Sequence, residues 1–348
     1  GRTLAALSLV FLLFLAFVLY SLRQAKSKKT VKLGWKSRVL ILITTSMALG
    51  YPGQFQQEGN LLKKAYDRTA YWIPYSQQMN YYNTGFVAGF LYNLSAAPME
   101  LPADHSQEKI DVLKATYQQL ADEINTNRTV ALPETNVIYI MNESFADPLE
   151  LVGLDLQTDP IPFTRALMDT SYSGELLSQG YGGGTANIEF EALTGFSMEP
   201  FAANITTPYT QFLSSRDNFP SIVSRLEQAG FRTTAIHPYN TTMYKRLENY
   251  EALGFDTFLY EDTMANTAKL DTNPYISDAA AYAEITAILK ASAEKDFIHL
   301  VTMQNHTPYQ DKYTATPSAA ETGIVSQSLR FDQHDLQYSH QAFAQFLS

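Results

Sequence analysis

The chain has no cysteine among its 348 residues. That excludes disulfides, thiolate metal sites and cysteine nucleophiles. Basic residues are scarce over most of the length. Eight of the 25 Lys/Arg fall within residues 1–38, which hold no Asp or Glu, so the remaining 17 face 35 acidic residues. An acidic body of this kind argues against nucleic-acid binding, which requires a basic face. There is no low-complexity tract and no internal repeat. Hydrophobic content of 45% and aromatic content of 13% are enough for a substantial core.

One uncharged run is long. Residues 3–22, "TLAALSLVFLLFLAFVLYSL", match the roughly 20 residues needed to cross a bilayer core. "RQAKSKKTVKLGWKSR" follows, with seven basic residues in sixteen, as expected of a cytoplasmic loop. A second uncharged stretch, residues 39–57, predicts a weaker helix returning to the outer face. Residues 58–100 are rich in aromatics, which either meet a membrane interface or pack a helical hairpin. "SQEKIDVLKATYQQLADEI", residues 106–124, predicts a polar-faced connecting helix.

Beyond residue 136 short apolar runs alternate with helical periods. "NVIYIM" (136–141), "TTAIH" (233–237) and "FIHLVTM" (297–303) read as buried strands, and residues 221–230 and 278–295 read as helices. This alternation predicts an α/β fold with a mainly parallel sheet covered on both faces. Ligands of such sheets collect at the carboxyl ends of the strands. There the sequence puts Glu143 after the first strand, His237 at the end of the second and His306 after the third.

Between the first two strands lies "QGYGGGTANIEFEALTG", residues 179–195. A phosphate-binding loop of the Walker type would continue Gly-Lys-Ser/Thr, and no lysine follows these glycines. Thr185 falls at or near the N-cap of the helix that follows. A cap needs no three glycines before it, so the run predicts close approach by a substrate or a metal. A threonine hydroxyl attacks only if a metal or base lowers its pKa, and Glu143 is a candidate to anchor such a metal with Thr185 as second oxygen ligand.

Taken together, "NVIYIMNESF", "GGGTANIEFEALTG", "AIHPYNTTMYKRLENYEALGFDTF" and "HLVTMQNHTPY" resemble the lipoteichoic acid synthase family. These are membrane-anchored phosphoglycerol transferases of the alkaline-phosphatase/sulfatase superfamily. The two uncharged runs around the basic loop predict a membrane region over residues 1–56. The resemblance, which covers most of 57–345, implies interfacial or linker helices over 57–130 and an extracellular sulfatase-like catalytic domain over 131–348. It implies that Glu143 binds the metal, that Thr185 is the metal-bound nucleophile, and that Arg246 and His306 contact the substrate. His237 would line the same pocket. Tyr244 stands where the family often has tryptophan before Asn-Arg. The implied cofactor is a divalent ion, Mn²⁺ or else Mg²⁺. The implied donor is phosphatidylglycerol in the membrane, and the acceptor a glycerophosphate polymer or a glycolipid.

The resemblance also implies an Asp-His metal pair in a Gly-Asp-His motif, which this chain lacks. His334-Asp335 has the reverse order and lies upstream of the expected place, so the chain is expected to be cut at both ends. Two rivals remain. One is another headgroup transferase, phosphatase or sulfatase of the superfamily, although the Cys/Ser-x-Pro-x-Arg motif of sulfatases is missing. The other is an inactive membrane-anchored fragment. Two oxygen donors hold a divalent ion poorly. Titration calorimetry of this chain with Mn²⁺ is therefore expected to give no stoichiometric binding isotherm.

Overall fold

The computed structural model describes residues 34–348 except 58, 72–76, 95–97, 130–133, 155, 157, 179, 181–182, 203–204, 316–317 and 323, together with Tyr20 and Arg23. The chain divides into two compact units, residues 1–64 and 65–348. Apart from Tyr20, the apolar run at 3–22 lies outside the described residues.

In the first unit, helix α1 spans Trp35–Gly50 and ends where Pro52 enters a 3₁₀ turn. The second uncharged stretch thus forms a helix, but one of 16 residues, about 24 Å at 1.5 Å per residue. Among the described residues no helix is long and apolar enough to cross a membrane. Val39, Leu40, Ile41, Leu42 and Ile43 on α1 are all exposed.

The second unit opens with α2, Gln77–Tyr92, which kinks at Gly85 and exposes Tyr82, Phe86 and Phe90. Helix α3, Gln107–Thr126, begins at an N-cap of Ser106, whose hydroxyl accepts from the N–H of Lys109, and it buries none of its residues.

The α/β expectation holds from residue 137 onward. The elements that frame the sheet and the site are, in chain order, β1 (Val137–Met141), α4 (Thr185–Thr194), α5 (Ile222–Gln228), β2 (Phe231–His237), α6 (Arg246–Leu253), β3 (Thr257–Tyr260), α7 (Asp278–Ala291), β4 (Lys295–Val301) and α8 (Gln327–Leu347). The strands form one parallel sheet in the order β1-β4-β2-β3. Strand β3 escaped the sequence reading because four residues, "TFLY", are too short to show a period. Strand β4 begins two residues earlier than the apolar run and ends at Val301, which leaves Thr302 and Met303 in the loop beyond it.

Alternation along β4 explains the two-sided core. Phe297 joins Phe190, Leu193, Val223, Phe231 and Tyr250 on one face, while Ile298 and Leu300 join Ile236, Ile285 and Ala342 on the other. Successive strand residues point to opposite faces, and because helices cover both, the strand has no polar side to offer water. The packing of Phe297 against the stacked ring of Phe255 sits at the centre of the first face. Phe297→Ala is expected to lower the unfolding free energy by about 3–5 kcal/mol, measured as a reduced midpoint in urea.

Candidate active site

The register brings three strand ends level. Met141 of β1 pairs with Val301 of β4, and Ile236 of β2 pairs with Leu300. Just beyond, the N–H of Glu143 donates to the Thr302 hydroxyl at 2.9 Å, and the N–H of Thr302 donates to the Met141 carbonyl at 3.0 Å. Glu143 is thereby fixed to the central strand rather than left on a free loop.

The glycine run turns the chain into α4. Gly184 is the N-cap residue, with a left-handed φ of 83°, and Thr185 is the first helical residue. Thr185 thus stands next to the N-cap, as expected of a residue at or near it, but its hydroxyl caps nothing and instead donates to Glu143 Oε2 at 3.2 Å. The glycines also prove necessary for a reason other than ligand room. A Cβ on Gly180 would lie 2.5 Å from the Gly183 carbonyl oxygen, whereas one on Gly183 would meet nothing within 4 Å. At Gly183 and Gly184 the demand comes from positive φ, which glycine alone adopts at no steric cost.

A cavity of about 190 Å³ is lined by Glu143, Thr185, His237, Tyr244, Arg246 and His306, with Gly183 and Gly184 at its edge. All six side chains singled out in the sequence thus border one space. Tyr244 and Lys245 both have left-handed φ, 59° and 52°. Such strain in non-glycine residues is held only where the surroundings impose it. Here the buried Asn249 side chain donates to the carbonyl of Tyr244 at 2.7 Å and to that of Tyr209 at 3.1 Å. Lys245 turns away from the cavity, its ammonium donating to the carbonyl of Thr210.

Arg246 is 2% exposed and already partnered. Its Nη2 and Nε donate to Glu189 Oε2 at 2.9 and 3.3 Å, and its Nη1 lies 3.2 Å from His237 Nε2. The Tyr250 hydroxyl donates to the other oxygen of Glu189. Burial alone would raise the Glu189 pKa, but the charge of Arg246, the nearby His299 ring and the bond from Tyr250 outweigh it and hold it at about 2. His237 has the opposite fate. Burial, and then the positive charge of Arg246, push it down to about 3. Its Nδ1 lies 3.0 Å from the Val301 carbonyl, which can only accept, so Nδ1 carries the proton and Nε2 accepts from Arg246. His237 is accordingly a neutral support for the guanidinium and not a proton donor to substrate.

Glu189, Tyr250 and His299 are the residues around Arg246 that reading the sequence missed. Glu189 had a visible signal, since it follows Thr185 by four residues and so shares its helix face. Tyr250 and His299 had none.

A family model described as Sulfatase matches residues 135–348. The chain belongs to the sulfatase family. Within the alkaline-phosphatase/sulfatase superfamily its structural neighbours are phosphoglycerol transferases. The Streptococcus pyogenes phosphoglycerol transferase GacH, solved with sn-glycerol-1-phosphate, superposes with a TM-score of 0.63 at 27% identity, covering 72% of this chain and 66% of that one. The lipoteichoic acid synthase LtaP of Listeria monocytogenes shares the fold, with a TM-score of 0.50 at 20% identity over 62% of this chain and 51% of that one. Among curated proteins, one of Rhizobium meliloti (strain 1021) named for cyclic beta-1,2-glucan modification is 33% identical over 238 residues, 68% of this chain and 35% of its own length. The capsular polysaccharide biosynthesis protein RkpI of the same organism is 28% identical over 179 residues, 50% of this chain and 32% of its own. The chain therefore spans about a third of the length of the curated relatives it matches.

Sulfatase-superfamily enzymes use divalent metal ions. The hydroxyl of Thr185 against the carboxylate of Glu143 offers two oxygen donors to such an ion. Among the described residues no group of three His, Asp or Glu side chains converges on a common point. A divalent ion takes four or more ligands, so the sulfatase-family site as described supplies part of a metal set and not a whole one.

The buried Glu189–Arg246 pair and the neighbouring His237 each give a prediction. Glu189→Met alone leaves an uncompensated buried guanidinium and is expected to cost about 3–5 kcal/mol of stability, most of it recovered in Glu189→Met with Arg246→Met; chemical denaturation of the three proteins checks this. His237 binds a proton near 6.5 when unfolded but only near 3 when folded, so the unfolded state holds more protons between those values. Its contribution to stability is full above pH 6.5 and is lost as pH falls toward 3. His237→Gln is expected to flatten the fall in unfolding free energy across that window, read from urea midpoints at each pH.

Proposed function

We propose that this chain carries the nucleophile of a phosphoglycerol transferase that takes its group from phosphatidylglycerol. The observation that carries the reading is the convergence of Thr185, Glu143, Arg246 and His306 on one cavity. The kinship to GacH, a phosphoglycerol transferase at 27% identity, supports it.

In this reading Thr185 Oγ1 attacks the phosphorus of the lipid while its proton passes to Glu143, which already accepts that hydroxyl. The bond from phosphorus to the diacylglycerol oxygen breaks, and diacylglycerol leaves with the proton. An acceptor hydroxyl then attacks the same phosphorus, and its proton returns through Glu143 to Thr185 as the phospho-threonine bond breaks. Arg246 donates to the phosphoryl oxygens, its guanidinium held in place by Glu189 and His237. His306 Nδ1 is held by the Thr307 carbonyl at 2.7 Å, which leaves Nε2 as the atom for the glycerol or the acceptor. A divalent ion, Mn²⁺ or Mg²⁺, belongs to the proposal with Glu143 and Thr185 as two of its ligands.

A membrane site fits the lipid donor. The uncharged run at 3–22, the exposed apolar residues of α1 and the exposed Tyr82, Phe86 and Phe90 of α2 support anchoring with the catalytic unit on the outer face. The acidic body supports no nucleic-acid partner. For the acceptor there are two readings. A glycerophosphate polymer or glycolipid follows from the lipoteichoic acid synthase resemblance. A glycan hydroxyl is favoured by the relatives named for glucan modification and capsular polysaccharide synthesis.

The test uses the protein expressed from its complete reading frame in phosphatidylglycerol membranes with Mn²⁺. Mass spectrometry is expected to find glycerophosphate on Thr185, and Thr185→Ala is expected to reduce diacylglycerol release to background. A different group on Thr185 overturns the donor. Supplying a cyclic glucan and a polyglycerolphosphate in parallel shows which acceptor takes the label.

A further inference from the structure

Behind His306 lies a second buried polar cluster, distinct from the Glu189–Arg246 network. Lys312 is 1% exposed. Its ammonium donates to the main-chain carbonyl of Gln304 at 2.7 Å and to the carboxylate of Asp335 on α8. The hydroxyl of Tyr313 takes the other oxygen of Asp335. The Gln304 carbonyl also accepts from Asn273 Nδ2 at 3.2 Å, and the Gln304 side-chain oxygen accepts the N–H of Asp278 at the start of α7, at 3.0 Å. Tyr275 belongs to the same cluster: the Lys312 ammonium lies over its ring, 5.5 Å from the centroid, and its hydroxyl donates to the Thr307 carbonyl at 2.8 Å and lies 3.5 Å from His306 Nδ1. The Tyr275 ring stands edge-on to the His306 imidazole with centroids 5.7 Å apart. The backbone of Tyr275 is itself tied to Asn273, its N–H donating to Oδ1 at 3.0 Å.

The loop after β4 is thus gripped at Gln304, two residues before His306, and at Thr307, one residue after it. A buried ion pair is a poor device for stability, because apolar side chains of similar volume often serve as well. A lysine aimed at one carbonyl does something that apolar packing cannot: it specifies where that carbonyl must lie. Asp335 supplies the countercharge and links the loop to α8, whose Asp335 and Ser339 are both fully buried.

We propose that Lys312, held by Asp335, is a positioning residue that sets the turn from Met303 to Thr307 and so aims His306 into the cavity. The proposal rests on the reading of His306 as a substrate contact, and its test does not depend on turnover. The full chain is prepared with ¹³C at the Cε1 of its six histidines, with His306→Gln identifying the His306 resonance. Lys312→Met combined with Asp335→Leu removes both charges of the ion pair together.

The expected result is a melting temperature within about 3 °C of the parent, a shifted and broadened His306 resonance, and an unchanged His237 resonance. Tyr275→Phe, which removes the hydroxyl beside Thr307 and His306 but leaves the Lys312–Asp335 pair, gives the size of the His306 shift that loss of a direct neighbour produces. A double variant that folds with the His306 resonance unaltered overturns the proposal. If the double variant does not fold, the gentler pair Lys312→Gln with Asp335→Asn is measured instead, and an unaltered His306 signal there overturns the proposal. A displaced His306 signal with unaltered transfer from phosphatidylglycerol supports the positioning and overturns the reading of His306 as a substrate contact.

Discussion

Glu189 and Arg246 form an ion pair with both partners essentially out of contact with solvent. The pair joins the helix that begins with Thr185 to the helix that begins with Arg246, across 57 residues of sequence. Because Glu189 lies one helical turn beyond Thr185, fixing its carboxylate fixes the direction in which α4 presents its first hydroxyl. Because Arg246 also donates to His237 at the end of β2, the pair is anchored to the sheet. Removing either charge would strand the other in a medium that cannot solvate it. The candidate site is therefore a property of the whole domain and not of the glycine loop.

This arrangement limits what Arg246 can contribute. Its positive charge is answered by a carboxylate that stays ionised down to about pH 2, so it offers directed donors more than net charge. His237 is neutral and adds none. Glu143 brings a further acidic side chain to the same cavity. A phosphate ester, the substrate class proposed above, would find oriented hydrogen bonds in such a site, while its charge would call for a cation beyond these side chains. That is consistent with the use of divalent ions across the superfamily and with the partial donor set formed by Glu143 and Thr185.

Much of the fold was legible before any coordinates. Strands β1, β2 and β4 could be read because buried parallel strands are continuous apolar runs bounded by polar residues. Strand β3 could not, since four residues carry too little pattern. The glycine run pointed to Thr185. Positive φ at Gly183 and Gly184, and the contact a Cβ on Gly180 would make with the Gly183 carbonyl, add a backbone demand for glycine to the room read there for a ligand. The cap is Gly184 because a left-handed residue there already starts the helix and leaves the threonine hydroxyl for Glu143.

The sequence by itself determined the identity of the chemical groups and their places at strand ends, since both follow from local periodicity and residue type. It also determined that the body is acidic and free of thiols. Only the tertiary structure decided how those groups are charged and partnered. Glu189 with Arg246 and Tyr250, His237 with Val301, and Lys312 with Gln304 and Asp335 are contacts between distant segments. The physical reason is that ionisation and orientation inside a protein depend on burial and on neighbouring charges. Neither exists until the sheet has brought the segments together.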